Sequence, residues 1–203
     1  MSQHNHPAYP MLLRPATRVD LDACMALDAD SQTDHVWQME EREENEGLSV
    51  RFQTVRLPRA MRVTYPRRRD DLVSCWENGS LVLVTSDKSA TGEEADASDT
   101  PQDEAPPRIY AYCQLDACAW QEVGWISHLI VARRHRRTGI GTAMIQASVL
   151  WGRKQSMNRL MAAVQTKNYP GINFCQKHGF VFCGFNDHYY PNRDIALFFS
   201  LRI

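Results

Sequence analysis

The chain has 203 residues, 43 % of them hydrophobic, with 23 basic and 24 acidic side chains and a net charge of −1. That length and apolar content suit one globular domain with its own core. The near-balance of charge gives no global field favouring nucleic acid or an anionic membrane, and no apolar run reaches the ~18 residues of a membrane span.

The first ten residues, MSQHNHPAYP, are polar and lack the apolar run of a secretory signal. They read as a flexible tail ahead of a single domain spanning 11–203. MLLRPA (11–16) predicts a short strand. TRVDLDACMALDAD predicts a helix with Thr17 as N-cap, Asp20 in the first turn and a stripe of Leu21, Cys24, Met25 and Leu27. The polar run DHVWQMEEREENEG predicts a second helix ending near Gly47. LSVRFQTVRL (48–57) alternates and is rich in β-branched residues, which predicts a strand before Pro58 and Pro66. DDLVSCWENG predicts a short helix stopped at Gly79, and SLVLVT (80–85) a buried strand.

Composition then changes. TSDKSATGEEADASDTPQDEAPP (85–107) holds seven acids, one lysine and no large apolar residue. Such a segment has nothing to bury, so a disordered acidic insertion is expected at 86–107. RIYAYCQLDACAW (108–120) and EVGWISHLIVA predict a β-hairpin. TGIGTAMIQASVLWGRKQ predicts a helix with Ile140, Ala143, Met144, Ala147, Leu150 and Trp151 on one face. RLMAAVQ (159–165) predicts a strand, PGINFCQKHG (170–179) a helix closed by Gly179, and FVFCGFNDHYY and DIALFFSLRI two last strands. The order is α/β (α+β), with helices interrupting a mostly antiparallel sheet. Six cysteines, none in C-x-x-C spacing, predict reduced core thiols in a cytoplasmic protein, and no cluster suggests a metal.

The stretch RRHRRTGIGTAMI (133–145) places a basic run and Gly-x-Gly at a helix start. The first N–H groups of a helix lack partners within it, and its dipole adds about half a positive charge there. Glycine lets a phosphate approach the backbone. There is no Gly-Lys pair for a P-loop, and Met144 stands where a dinucleotide loop needs its third glycine.

Arg136-x-x-Gly139-x-Gly141, between a strand and an amphipathic helix, resembles the acetyl-coenzyme A loop of the GNAT superfamily of N-acetyltransferases. Downstream, NYPGINFCQKHGFVFCGF is similar to that superfamily's second signature, with Asn168, Gly171, Phe174, Gly179 and Phe180 on it. The resemblance covers residues 108–203. Its end, GFVFCGFNDHYYPNRDIALFF, is most similar to streptothricin acetyltransferases and related uncharacterised bacterial members.

The resemblance implies a GNAT fold, with the sheet splayed at the coenzyme site and flanked by helices. It implies acetyl-CoA as co-substrate, with no metal. Backbone groups of Leu129, Ile130 and Val131 would pair with the pantetheine. The loop of Arg136, Arg137, Thr138, Gly139, Ile140, Gly141 and Thr142 would cradle the diphosphate, with Asn168 also at the coenzyme site. A tyrosine often protonates the leaving thiolate in this superfamily, but here that position is Cys175. Cys175, Tyr189 and Tyr190 are therefore candidate donors, beside the alternative of packing. His128 is the candidate base, Glu122 a weaker one. Trp37 and Glu40, on the expected second helix, are candidates for an aromatic, acidic wall around a cationic amine. Implied partners are acetyl-CoA and a small amine acceptor, in a monomer or homodimer without nucleic acid or membrane. Acetylation of protein lysines or N-termini, and non-catalytic acyl-coenzyme A binding, are the competing readings.

Overall fold

The structure is a computed structural model describing residues 11–87 and 108–203. The expected tail (1–10) and residues 88–107 of the expected insertion lie outside the described residues. Contacts divide the chain into two compact units, each assembled from several segments.

The first unit draws on Met1–Asp28, Arg69–Ala117 and Ile126–Leu150. Its strands are β1 (Leu12–Pro15), β4 (Leu81–Ser86), β5 (Ile109–Cys118) and most of β6 (Val123–Val131), neighbours in that order. β1 pairs antiparallel with β4, and β4 antiparallel with β5. The apolar run of β5 is buried from Ile109 to Leu115, which marks a strand covered on both faces. Helices α1 (Leu21–Met25), α2 (Leu72–Glu77) and α3 (Ile140–Lys154) supply Leu21, Cys24, Leu72 and Met144 to the core.

Thr17 opens the first helical turn as expected. Its N–H donates to Asp20 Oδ2 at 2.8 Å. Asp20 is fully buried because Arg14 reaches it from β1 with two hydrogen bonds, at 2.6 and 2.9 Å. Burial alone would raise the Asp20 carboxyl, but the bonds from Arg14 and Thr17 hold it below its ordinary value.

Two expectations change here. The insertion cannot begin at residue 86: Ser86 is buried and pairs with Ile109, and Asp87 Oδ1 accepts from Arg108 N–H at 2.9 Å. The buried side of α3 is Ile140, Met144, Ile145 and Ser148, whereas Ala143 and Leu150 are exposed. A serine joins that face because its hydroxyl donates to the Met144 carbonyl at 2.7 Å, one turn back.

The second unit draws on Ala29–Arg68, Cys118–Trp125 and Trp151–Ile203. β7 (Arg159–Gln165) pairs antiparallel with β9 (Ala196–Arg202), which pairs antiparallel with β8 (Val181–Asn186). α4 (Tyr169–Lys177) precedes β8 and is capped at His178, and Gly179 just beyond has a φ of +81°, which explains the predicted stop.

The second predicted helix does not form. Residues 31–44 are strand β2 (Ser31–Glu44), in a hairpin with β3 (Gly47–Val63). The glutamates favour a helix in isolation, but His35, Trp37 and Met39 alternate on one face, and the acidic strand meets a basic one, with Glu40 opposite Arg51. β3 also runs past the expected end at Leu57. Between Thr33↔Met61 and His35↔Arg56 the register shifts, so that 57–60 form a bulge. Pro58, which has no N–H to give a ladder, sits inside it.

Candidate active site

In the first unit, β6 ends with Ala132 N–H donating to Tyr110 O at 2.8 Å. A 3-10 turn follows at Arg133–His135, then Arg136 in extended conformation. Arg137 adopts φ +68° and Gly139 φ +96°. Two left-handed residues two positions apart turn successive N–H groups toward one side, the geometry of an anion-binding nest. α3 begins directly after, and its first bond runs from Ala143 N–H to Gly139 O at 3.0 Å. A side chain at Gly139 would meet no protein atom within 4 Å, so that face of the loop is open. The arrangement fits a diphosphate: open backbone, a helix N-terminus and exposed Arg133, Arg134 and Arg137.

Arg136 has a different use from the other arginines. Its Nε donates to Val131 O at 2.9 Å and its Nη2 to Asp28 O at 3.0 Å, pinning the loop to the end of β6 and to the segment after α1. Thr138 Oγ1 closes the turn by donating to His135 O at 2.7 Å. Leu129 and Val131 lie on the more open side of β6, Ile130 and His128 on the covered side. His128 is buried with its ring 5.9 Å from that of Tyr112.

The second unit holds the remaining candidates. Asn168 caps α4: its Oδ1 accepts from Gly171 N–H at 3.0 Å, and a Cβ at Gly171 would lie 2.7 Å from Asn168 Nδ2. This accounts for the Asn-x-x-Gly spacing of the second signature locally. Cys175 is buried, and burial pushes its thiol up to about 12. Tyr190 is also buried, its hydroxyl pushed above the ordinary value by the same cause. Tyr189 is 37 % exposed and accepts a bond from Arg67 Nη2 at 2.8 Å. Both tyrosines lie in the turn after β8, not in a strand as the sequence suggested. The Trp37 ring packs against Phe52, Phe182 and Phe199, and the residue's backbone N–H donates to Thr166 O at 2.9 Å. Glu40 accepts from Gln53 across the hairpin at 2.8 Å. The expected acidic wall is thus a strand whose tryptophan is bound into an aromatic cluster.

Sequence reasoning missed Asp194. Its carboxylate gathers Lys167, Gln165 Nε2 at 2.7 Å and Asn192 Nδ2 at 2.9 Å, tying the end of β7 to the start of β9. The Tyr-Pro-Asn-Arg-Asp run (190–194) marks a turn, but nothing in it names those partners.

Residues 60–180, more than half of the chain, match the acetyltransferase (GNAT) family. The chain belongs to that family. Streptothricin acetyltransferase of Streptomyces lavendulae is 28 % identical over 101 residues, 50 % of this chain and 53 % of the relative. Streptothricin acetyltransferase A of Bacillus subtilis (strain 168) is 27 % identical over 87 residues, 41 % of this chain and 50 % of the relative. The chain spans about half the length of these curated relatives. Among solved structures, a nourseothricin acetyltransferase aligns with a TM-score of 0.72 at 19 % identity, covering 95 % of this chain and 98 % of that one. A Bacillus anthracis str. Ames protein in complex with acetyl coenzyme A aligns at 0.68 and 17 % identity, with the same coverage. At these identities the structural likeness shows a shared GNAT fold.

Proposed function

We propose that this GNAT protein transfers the acetyl group of acetyl-CoA to a primary amine of a small cationic molecule. The observation that carries the reading is the loop at Arg137–Gly139, left-handed at both ends and open at Gly139, directly before α3. The N–H groups of residues 137–142 hold the diphosphate, and the backbone at Leu129–Val131 is the seat for the pantetheine amides. Arg136 shapes the loop without needing to touch phosphate.

The transfer requires a neutral amine. Its nitrogen attacks the thioester carbonyl, the C–S bond breaks, the amine's surplus proton leaves to solvent, and coenzyme A departs as thiolate and is protonated. A thiol at about 12 is a poor donor to a thiolate whose own acid is near the ordinary thiol value of about 8.5. The buried Tyr190 hydroxyl is weaker still as an acid than free tyrosine. Coenzyme A, the conjugate base of an ordinary thiol, therefore leaves as thiolate without a protein donor and takes its proton from bulk solvent after departure, while Cys175 packs the core. The relatives' names support an antibiotic amine as acceptor.

The test is thiol release from acetyl-CoA across a panel of streptothricin, aminoglycosides, polyamines and N-terminal peptides. Turnover with a small polycationic amine and little with peptides is expected. Preference for peptides would support protein acetylation, and coenzyme binding with no release against any amine would indicate a non-catalytic module.

A further inference from the structure

At the end of β7 away from Asn168, the second unit forms an open concavity of about 820 Å³, lined by Asn158, Arg159, Val181, Ser200 and Arg202 among others. Arg159 opens β7 and Arg202 closes β9, and the register sets them directly opposite each other. Side chains so placed have Cβ atoms about 5 Å apart, and like charges there repel. Other arginines are engaged, Arg14 with Asp20, Arg62 with Asp30 and Arg67 with Tyr189, and what sets Arg159 and Arg202 apart is that the register puts two of them face to face. Arg159 and Arg202 have no carboxylate or hydrogen-bonding partner among the described residues, and Arg159 acts only at a distance on the Cys183 thiol. Glu122, the acid beside this end of the sheet, accepts the side-chain amide of Asn158 instead. Ser200, two residues before Arg202 on β9, presents its hydroxyl on the same face.

We propose that this concavity is a second binding site, for an oxyanion held between Arg159 and Arg202 with Ser200 as a further donor. Two planar guanidinium forks rising from opposed positions on one sheet face suit a phosphate ester or a carboxylate, either of which offsets the repulsion between them. None of these residues belongs to the coenzyme loop, so the site is independent of the acetyl-transfer reading.

The melting temperature is titrated with inorganic phosphate and with succinate, against sodium chloride at matched ionic strength. The proteins are wild type, Gly139→Ala, which weakens the coenzyme loop as a phosphate site, and, both in that Gly139→Ala background, the Arg159→Gln/Arg202→Gln double variant and the Arg202→Gln single variant. A saturable rise of about 3–6 °C at ten times the half-saturating concentration is expected in wild type and Gly139→Ala. The rise should vanish in the double variant, and Arg202→Gln should need about tenfold more anion. A response to phosphate alone assigns the site to phosphorylated ligands; a response to succinate as well assigns it to carboxylates too. No saturable rise in wild type, or one that persists in the double variant, overturns the proposal.

Discussion

Replacing Gly139 by alanine separates the loop's conformation from its ligand. The added Cβ meets no protein atom within 4 Å, so the folded protein has room for it. Its cost is conformational: φ is +96°, and an L-residue held in the left-handed region loses about 1–2 kcal/mol. In a chain of this size that lowers Tm by about 2–8 °C. Binding should suffer more. The Cβ projects into the open face proposed for the diphosphate, and losing one charge-assisted backbone bond costs about 1.5–3 kcal/mol. Acetyl-CoA affinity should therefore fall about 10- to 150-fold. Calorimetric titration on protein shown to be folded by circular dichroism measures it. Unchanged affinity in folded Gly139→Ala would refute the reasoning, because nothing would then approach the backbone there.

Three further outcomes are expected. Arg136→Ala should weaken acetyl-CoA about tenfold, and Arg136→Lys should not restore it, because the two bonds to Val131 O and Asp28 O come from different nitrogens of one planar fork; full rescue by lysine in a direct binding assay would make charge the operative feature. Cys175→Ala should keep turnover within about twofold while lowering Tm by about 2–4 °C, the effect of losing one buried group; a tenfold loss of turnover at normal coenzyme affinity would place the thiol in the chemistry. Asp20→Asn should cost about 3–5 kcal/mol in urea unfolding at pH 7, since it strands the buried Arg14. Because the Asp20 carboxyl is held below its unfolded value, its stabilisation is complete above about pH 4 and fades as pH falls through the lower folded value. The gap between wild type and Asp20→Asn should therefore close in strong acid; a gap independent of pH would show that Asp20 is not ionised in the fold.

The sequence by itself determined what depends on neighbours along the chain. Glycine at 139 and 141 after a basic turn predicts an open backbone at a helix start, because that depends only on backbone N–H groups and a missing Cβ. Asn168 and Gly171 define a cap within one turn, and the buried run of β5 needs no partner to be recognised as core. Tertiary structure decided whatever depends on a distant partner. The Glu-rich run from 34 to 47 has helical propensity, yet it is a strand because the arginine-bearing β3 lies across from it. Arg136 looks like a phosphate ligand until Val131 and Asp28 are seen to occupy its fork. Cys175 sits where a donor is sought, but burial, which no local pattern reports, holds its thiol protonated. Arg159 and Arg202 are 43 residues apart in the chain, and only the register of β7 against β9 makes them one site.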